Sequence, residues 1–129
     1  MYLTHERKYM RDEIYWVVTC SVHPGKFEEF KGVVTPLVAA TQEENGSLAY
    51  DYSVSADETL VHIFEAYKDS EAVVNHVTKT FSLFADRFSA CVDVDGFVVY
   101  GDPDAAATEI LDGFGSVYMT PFEGFTRKP

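Results

Sequence analysis

Glu65 and His76 stand eleven residues apart in the segment Thr59-Leu60-Val61-His62-Ile63-Phe64-Glu65-Ala66-Tyr67-Lys68-Asp69-Ser70-Glu71-Ala72-Val73-Val74-Asn75-His76. The segment reads as a strand, a polar turn and a helix, with one ionisable group on each side of the junction. A neutral imidazole with an ordinary pKa of ~6.5 suits proton abstraction from a phenol or quinol near pH 7. A carboxylate beside it can fix the imidazole tautomer. His76 is therefore the candidate general base and Glu65 its candidate orienting partner. The plainer readings are a helix histidine bonded within the fold and a carboxylate at a subunit contact. Asn75 adjoins His76 in sequence but points about 100° away around a helix, toward solvent.

Four aromatic residues, Trp16, Tyr50, Tyr52 and Phe81, can wall a pocket for a planar ligand. Each would serve equally well as core or interface packing. His62 lies on the opposite strand face from Glu65, among Leu60 and Phe64. It is either a ligand contact or a satisfied core or interface group. The histidines (His5, His23, His62, His76) and the cysteines (Cys20, Cys91) show no metal-ligand spacing and no Cys-x-x-Cys. Both cysteines read as plain buried thiols. No flavin or nicotinamide fingerprint is present. Neither a metal nor a cofactor is expected.

These side chains need a scaffold. Ile14 to Val22 is β-branched and aromatic, a first strand covered on both faces. His23-Pro24-Gly25-Lys26 breaks it, and Pro24 suits the first turn of a helix. From about Gly25 to Glu44, Phe27, Phe30, Val34, Leu37, Val38 and Thr41 recur at helical spacing. Pro36 inside that helix predicts a kink or a division. Asn45-Gly46 stops it. Ser47–Ser55 and Thr59–Tyr67 alternate as a hairpin. Asp69-Ser70 starts a second helix, with a break near Thr78–Thr80. Asp93–Tyr100 is the fourth strand. The order β-α-β-β-α-β is the split βαβ pattern, an α+β ferredoxin-like four-stranded antiparallel sheet with both helices on one face. Beyond Gly101, Asp104–Leu111 predicts an extra helix and Ser116–Thr120 a short strand. The expected organisation is an arm over 1–12, a domain over 13–101 and an extension over 102–129 packed on it.

A chain of 129 residues, 47% hydrophobic, with ten Phe and eight Tyr, fits one core. Its formal charge of −11 opposes nucleic acid and anionic membrane surfaces. No apolar run reaches the ~18 residues of a membrane span. Residues 1–12 lack a signal-peptide core, so a cytoplasmic location is expected. The first and third strands are apolar on both faces, yet two helices cover only one. An exposed patch of that kind predicts a homodimer with the sheets face to face. The alternative is cover from the C-terminal extension within one chain.

Residues 13–101 resemble the antibiotic biosynthesis monooxygenase-like family of dimeric α+β barrels. The likeness rests on three stretches. The first is Val22-His23-Pro24-Gly25-Lys26 with Phe27 and Phe30. The second is Asn45-Gly46 leading to Tyr50. The third runs from Phe64-Glu65-Ala66-Tyr67 through Ser70-Glu71-Ala72 to His76. The resemblance implies a ferredoxin-like fold, a homodimer, and oxygenation of quinols, polycyclic aromatics or heme. Many such oxygenases need no metal or flavin, because a deprotonated substrate can itself activate oxygen. Heme-degrading members carry Asn, Trp and His where this chain has Val18, His76 and Asp86. The quinol-oxidising branch, with His at the position of His76, fits better. The function expected is a cofactor-independent monooxygenase of a small aromatic or quinol. A non-catalytic binding or stress-associated dimer on the same scaffold, or a His-dependent isomerase or lyase, is the alternative.

Overall fold

The computed structural model describes residues 11–127. The expected N-terminal arm thus lies almost wholly outside the described residues. Among the described residues, five strands and four α-helices form in the order β1 (Ile14–Val22), α1 (Phe27–Gln42), β2 (Ser47–Val54), β3 (Leu60–Tyr67), α2 (Ser70–Asn75), α3 (Ala85–Ser89), β4 (Val92–Tyr100), α4 (Ala105–Asp112) and β5 (Val117–Met119). The sheet order is β2-β3-β1-β4-β5. The first four strands are antiparallel, and β5 joins β4 in parallel. The fold is α+β and ferredoxin-like, with the sheet extended to five strands.

β1 is central, which explains its apolar character on both faces. Its alternate residues Ile14, Trp16, Val18 and Cys20 are buried under the helices. On β3 the same face carries Val61, Ile63, Glu65 and Tyr67, all buried. Trp16 pairs with Glu65 on one side and Val99 on the other. Phe30, Val33, Leu37, Val73 and Phe88 close the layer from the helices. The opposite face shows Tyr15 stacked on Tyr100 at 5.3 Å and leaves Leu60, His62 and Phe64 exposed.

The C-terminal extension does not cover that open face. Its helix α4 buries Ala107 and Leu111 in the shared core on the helical side. The Asp104 backbone N–H donates to the Ser70 hydroxyl, tying α4 to the start of α2. Phe114 stacks on Phe97 at 5.2 Å. The last apolar residues, Phe122 and Phe125, are exposed.

Two prolines behave differently from the sequence expectation. Pro24 sits in the turn before α1, which starts only at Phe27 with Lys26 as its N-cap residue. Pro36 neither kinks nor divides α1, which runs unbroken for 16 residues. Pro36 and Gly32, whose carbonyl it deprives of a donor, are both on the exposed face. Water can satisfy that carbonyl on the exposed side of the helix. The break in the second helix does occur. After α2, His76–Thr80 forms a π-helical turn in which the Phe81 N–H donates to the His76 carbonyl. A 3₁₀ turn, Phe81–Leu83, follows before α3. Hydroxyls of Thr78 and Ser82 cap carbonyls of Val74 and Thr78 along this irregular run.

The turn between α1 and β2 is pressed against α2. A Cβ on Gly46 would lie 2.5 Å from the Ala72 Cβ, whereas one on Gly32 would meet nothing within 4 Å. Gly46→Ala should therefore cost about 1–3 kcal/mol by overpacking. Gly32→Ala should gain about 0.5–1 kcal/mol by helix propensity. Urea unfolding of both variants checks the pair; equal midpoints would contradict the packing of this turn.

Candidate functional site

The inward stripe of α2 runs through Ala72 and Val73 to His76, one helical turn further on. That places His76 over the sheet opposite Glu65. Burial is nearly complete: the side chains of His76 and Glu65 are 3% and 8% exposed. The His76 Nε2 lies 3.7 Å from Glu65 Oε1, too long for a hydrogen bond. The Tyr67 hydroxyl donates to that same oxygen at 2.7 Å.

The other ring nitrogen has a partner that sequence reading missed. His76 Nδ1 lies 3.2 and 3.1 Å from the two carboxylate oxygens of Glu44. A carboxylate only accepts, so Nδ1 carries the proton and Nε2 presents its lone pair toward Glu65 and the cavity. The Ser47 hydroxyl donates to Glu44 Oε1 at 2.5 Å and holds it in place. A signal for Glu44 existed. It falls seven residues after Leu37 and three after Thr41, so it continues the buried stripe of α1 into the turn. Glu43, by contrast, is solvent-facing, as its position on the helix suggested.

Between His76 and the sheet lies a cavity of about 40 Å³, within a larger concavity of about 410 Å³ that includes its open mouth. Trp16, Val18, Ile63 and Glu65 form its floor, with Tyr50 and Tyr52 at one side. His76, Val77, Phe81 and Phe88 roof it, and Phe97 and Phe114 close the far end. Among the described residues, no lysine or arginine lines it. Of the residues singled out from sequence, Trp16, Tyr50, Tyr52, Glu65, His76 and Phe81 converge here. His62 does not: it lies exposed on the open face of the sheet, because odd and even residues of β3 point to opposite sides. Phe114, from the extension, joins the site without having been anticipated.

Burial controls the protonation of these groups. It lifts the Glu65 carboxyl to about 7, against the opposing pull of the Tyr67 hydroxyl and the Trp16 indole. Burial also lowers His76 below its ordinary value, with Glu44 acting the other way. His76 is thus neutral at pH 7, the form a general base requires. Tyr50 and Tyr52 are pushed far above the usual phenol range by desolvation and stay protonated. The Tyr52 hydroxyl donates to the Tyr50 oxygen at 2.9 Å. Cys20 is raised to about 12 by burial, which leaves an inert thiol. Among the described residues no group of three or more His, Cys, Asp or Glu side chains is placed to hold a metal ion.

A ferredoxin-like sheet, roofed by a broken helix over a buried histidine and an aromatic cavity, defines an α+β architecture. The sequence profile of the antibiotic biosynthesis monooxygenase family matches residues 14–98, and the chain belongs to that family. No curated protein matches the chain. Solved structures with the same fold include MupZ from Pseudomonas fluorescens, with a TM-score of 0.76 and 20% identity, covering 92% of this chain and 91% of that one. SnoaB, a cofactor-independent oxygenase from Streptomyces nogalater, has a TM-score of 0.62 and 18% identity over 73% of this chain and 96% of its own. A conserved protein from Methanosarcina mazei matches at 0.64 and 21% identity, over 79% and 99%. At these identities the likeness is one of fold.

The raised Glu65 value has a consequence for stability. A folded-state pKa above the ordinary 4.5 favours folding at low pH, and that contribution is lost as pH rises through about 7. His76, lowered by burial, acts in the opposite sense, its contribution being lost as pH falls below about 6.5. Glu65→Gln removes the first effect while keeping an acceptor for Tyr67. The variant should be more stable than the parent at pH 8, by about 1–3 kcal/mol, with the advantage vanishing near pH 5. Urea unfolding at the two pH values measures it; a pH-independent difference would mean Glu65 is ordinary in its titration.

Proposed function

We propose that the chain is a homodimeric, cofactor-independent monooxygenase of a small neutral phenol or quinol. The observation that carries this reading is His76: neutral, with Nδ1–H fixed on Glu44 and Nε2 turned toward an apolar cavity. Family membership supports it, as does the likeness in fold to SnoaB, itself an oxygenase that needs no cofactor. The absence of a lining cation disfavours an anionic substrate, since two buried carboxylates already occupy the neighbourhood.

In this mechanism Nε2 takes the hydroxyl proton, and the resulting anion is electron-rich enough to reduce O2. Carbon–oxygen bond formation at an activated ring carbon gives a hydroperoxide. Cleavage of its O–O bond leaves one oxygen on carbon as a carbonyl and releases the other as water. Both electron pairs come from the substrate: a CH2 and O2 become a C=O and H2O. Glu65, titrating near neutrality, can return the proton that the departing hydroxide needs.

His76→Ala would leave Glu44 without its buried imidazole N–H donor, at about 1–3 kcal/mol, so His76→Gln is the cleaner probe. Turnover of hydroquinones, followed by oxygen consumption, should fall about 10²- to 10⁴-fold in His76→Gln and recover partly at high pH, where the phenol ionises unaided. Full activity at neutral pH on a verified substrate would remove the base role and favour a binding protein.

The homodimer is proposed to form through the open sheet face, where Leu60 and Phe64 are 38% and 40% exposed beside Tyr15 and Tyr100. Such a face is unusual on a monomer. Light scattering should give twice 14.5 kDa. Phe64→Glu, exposed in the single chain, should yield a folded monomer; a parent that is already monomeric defeats this assembly.

A further inference from the structure

The corner between α3 and β4 is held by the side chain that follows β1, His23. Its Nδ1 lies 3.0 Å from the Ala90 carbonyl and its Nε2 lies 2.9 Å from Asp93 Oδ1. A carbonyl only accepts, and so does an ionised carboxylate. Both ring nitrogens must therefore donate, and the form that satisfies both is the imidazolium. His76, with Glu44 on Nδ1 alone, makes no such demand. Ala90 is the C-cap residue of α3, where carbonyls lack helical donors. A second tie is made by the backbone, the His23 N–H donating to the Cys91 carbonyl at 2.8 Å. His23 thus brackets the reversal from Ala90 to Asp93. On one side of that reversal Phe88 roofs the cavity, and on the other Val94 lines it.

We propose that His23 is a proton-dependent clasp: as an imidazolium it locks the α3–β4 corner, and on losing its proton it frees one acceptor and loosens the cavity wall at Phe88 and Val94. The neutral ring keeps a single N–H, so either Asp93 or Ala90 then faces a lone pair. The side chain is 32% exposed, so the proton exchanges with bulk water. The Asp93 carboxylate, and after it the Ala90 carbonyl, raise the His23 pKa above the ordinary 6.5; partial burial and the Lys26 ammonium act against them. The neighbouring carboxylates are engaged elsewhere. Asp95 accepts from the Ser21 hydroxyl, and Glu29 accepts from Lys26 and the Cys91 thiol. A raised folded-state value favours the clasped form at and below the ordinary pKa. That contribution is lost as pH rises through the raised value. The clasp sets the rigidity of one wall and is independent of the base role of His76.

Two measurements on the full-length chain test it. Long-range proton–nitrogen correlation spectra of the histidine rings, with His23 assigned by its loss in His23→Gln, should show both nitrogens protonated below pH 6.5 and a titration above it. Amide hydrogen exchange is then followed from pH 6 to pH 9, each rate divided by the intrinsic rate and referred to the amides of β3. The Ala90 and Cys91 amides, bonded to the Asp86 and Phe88 carbonyls, should lose protection about three- to tenfold across the His23 titration. His23→Gln should show no such step. Asp93→Asn keeps a partner that can accept from or donate to the ring, so its step should shrink and move to lower pH. It decides the matter if His23→Gln perturbs the corner more widely. Protection that holds through the titration, or a step unchanged in size and position in either variant, overturns the clasp. A His23 ring that is singly protonated at pH 6 does so as well.

Discussion

The arrangement of this molecule turns on one buried interaction, the Glu44–His76–Glu65 cluster between the sheet and the second helix. Three ionisable groups have been taken out of water, where each would be better solvated. They are held by the partners the fold supplies: Ser47 and His76 for Glu44, Tyr67 for Glu65, and Glu44 for His76. The cluster ties together the end of α1, the middle of β3 and the turn after α2. Any shift of these elements would leave a charge unpaired. A hydrophobic cluster of similar volume would pack as well without that sensitivity.

The irregular stretch that follows His76 has the same centre. A π turn widens the helix by one residue, and the 3₁₀ turn after it tightens it again. Together they place His76, Val77 and Phe81 over the cavity before α3 resumes and brings in Phe88. A regular helix through these residues would rotate Phe81 to another face. Single π turns recur at functional sites for this geometric reason. Here the adjoining hydroxyls of Thr78 and Ser82 hold carbonyls that regular helix bonding would otherwise occupy. The weak helix preference of the threonines is therefore consistent with the backbone that the site requires.

The two sides of the sheet divide the labour. One face, with Trp16, Ile63, Glu65 and Tyr67, meets the helices and forms the cavity. The other, with Tyr15, Phe64 and Tyr100, remains open. The extension adds to the first side: α4 packs by α2, Phe114 enters the cavity wall, and β5 lengthens the sheet beyond β4. Its position on the edge leaves the open face as uncovered as it was in the four-stranded core.

Sequence alone determined the strand and helix order, the helix start at Asp69-Ser70 and a break near Thr78–Thr80. Those features depend on period, turn chemistry and local propensity, all written within a few residues of one another. The alternation of β3 also determined that Glu65 and His62 lie on opposite faces; which face meets the helices, and that His76 is set against it, only the packing decided. Tertiary structure decided what those groups meet. Glu44 became the partner of His76 because the turn at Gly46 folds against Ala72, a contact between segments about 26 residues apart that no local pattern records. It also decided that Pro36 would be harmless, since solvent on its side of α1 satisfies the carbonyl it orphans. The room left above Trp16 comes from the packing of four strands, a broken helix and Phe114. Cavity size and protonation depend on distances summed over the whole fold, and a linear chain specifies them only once every wall is in place.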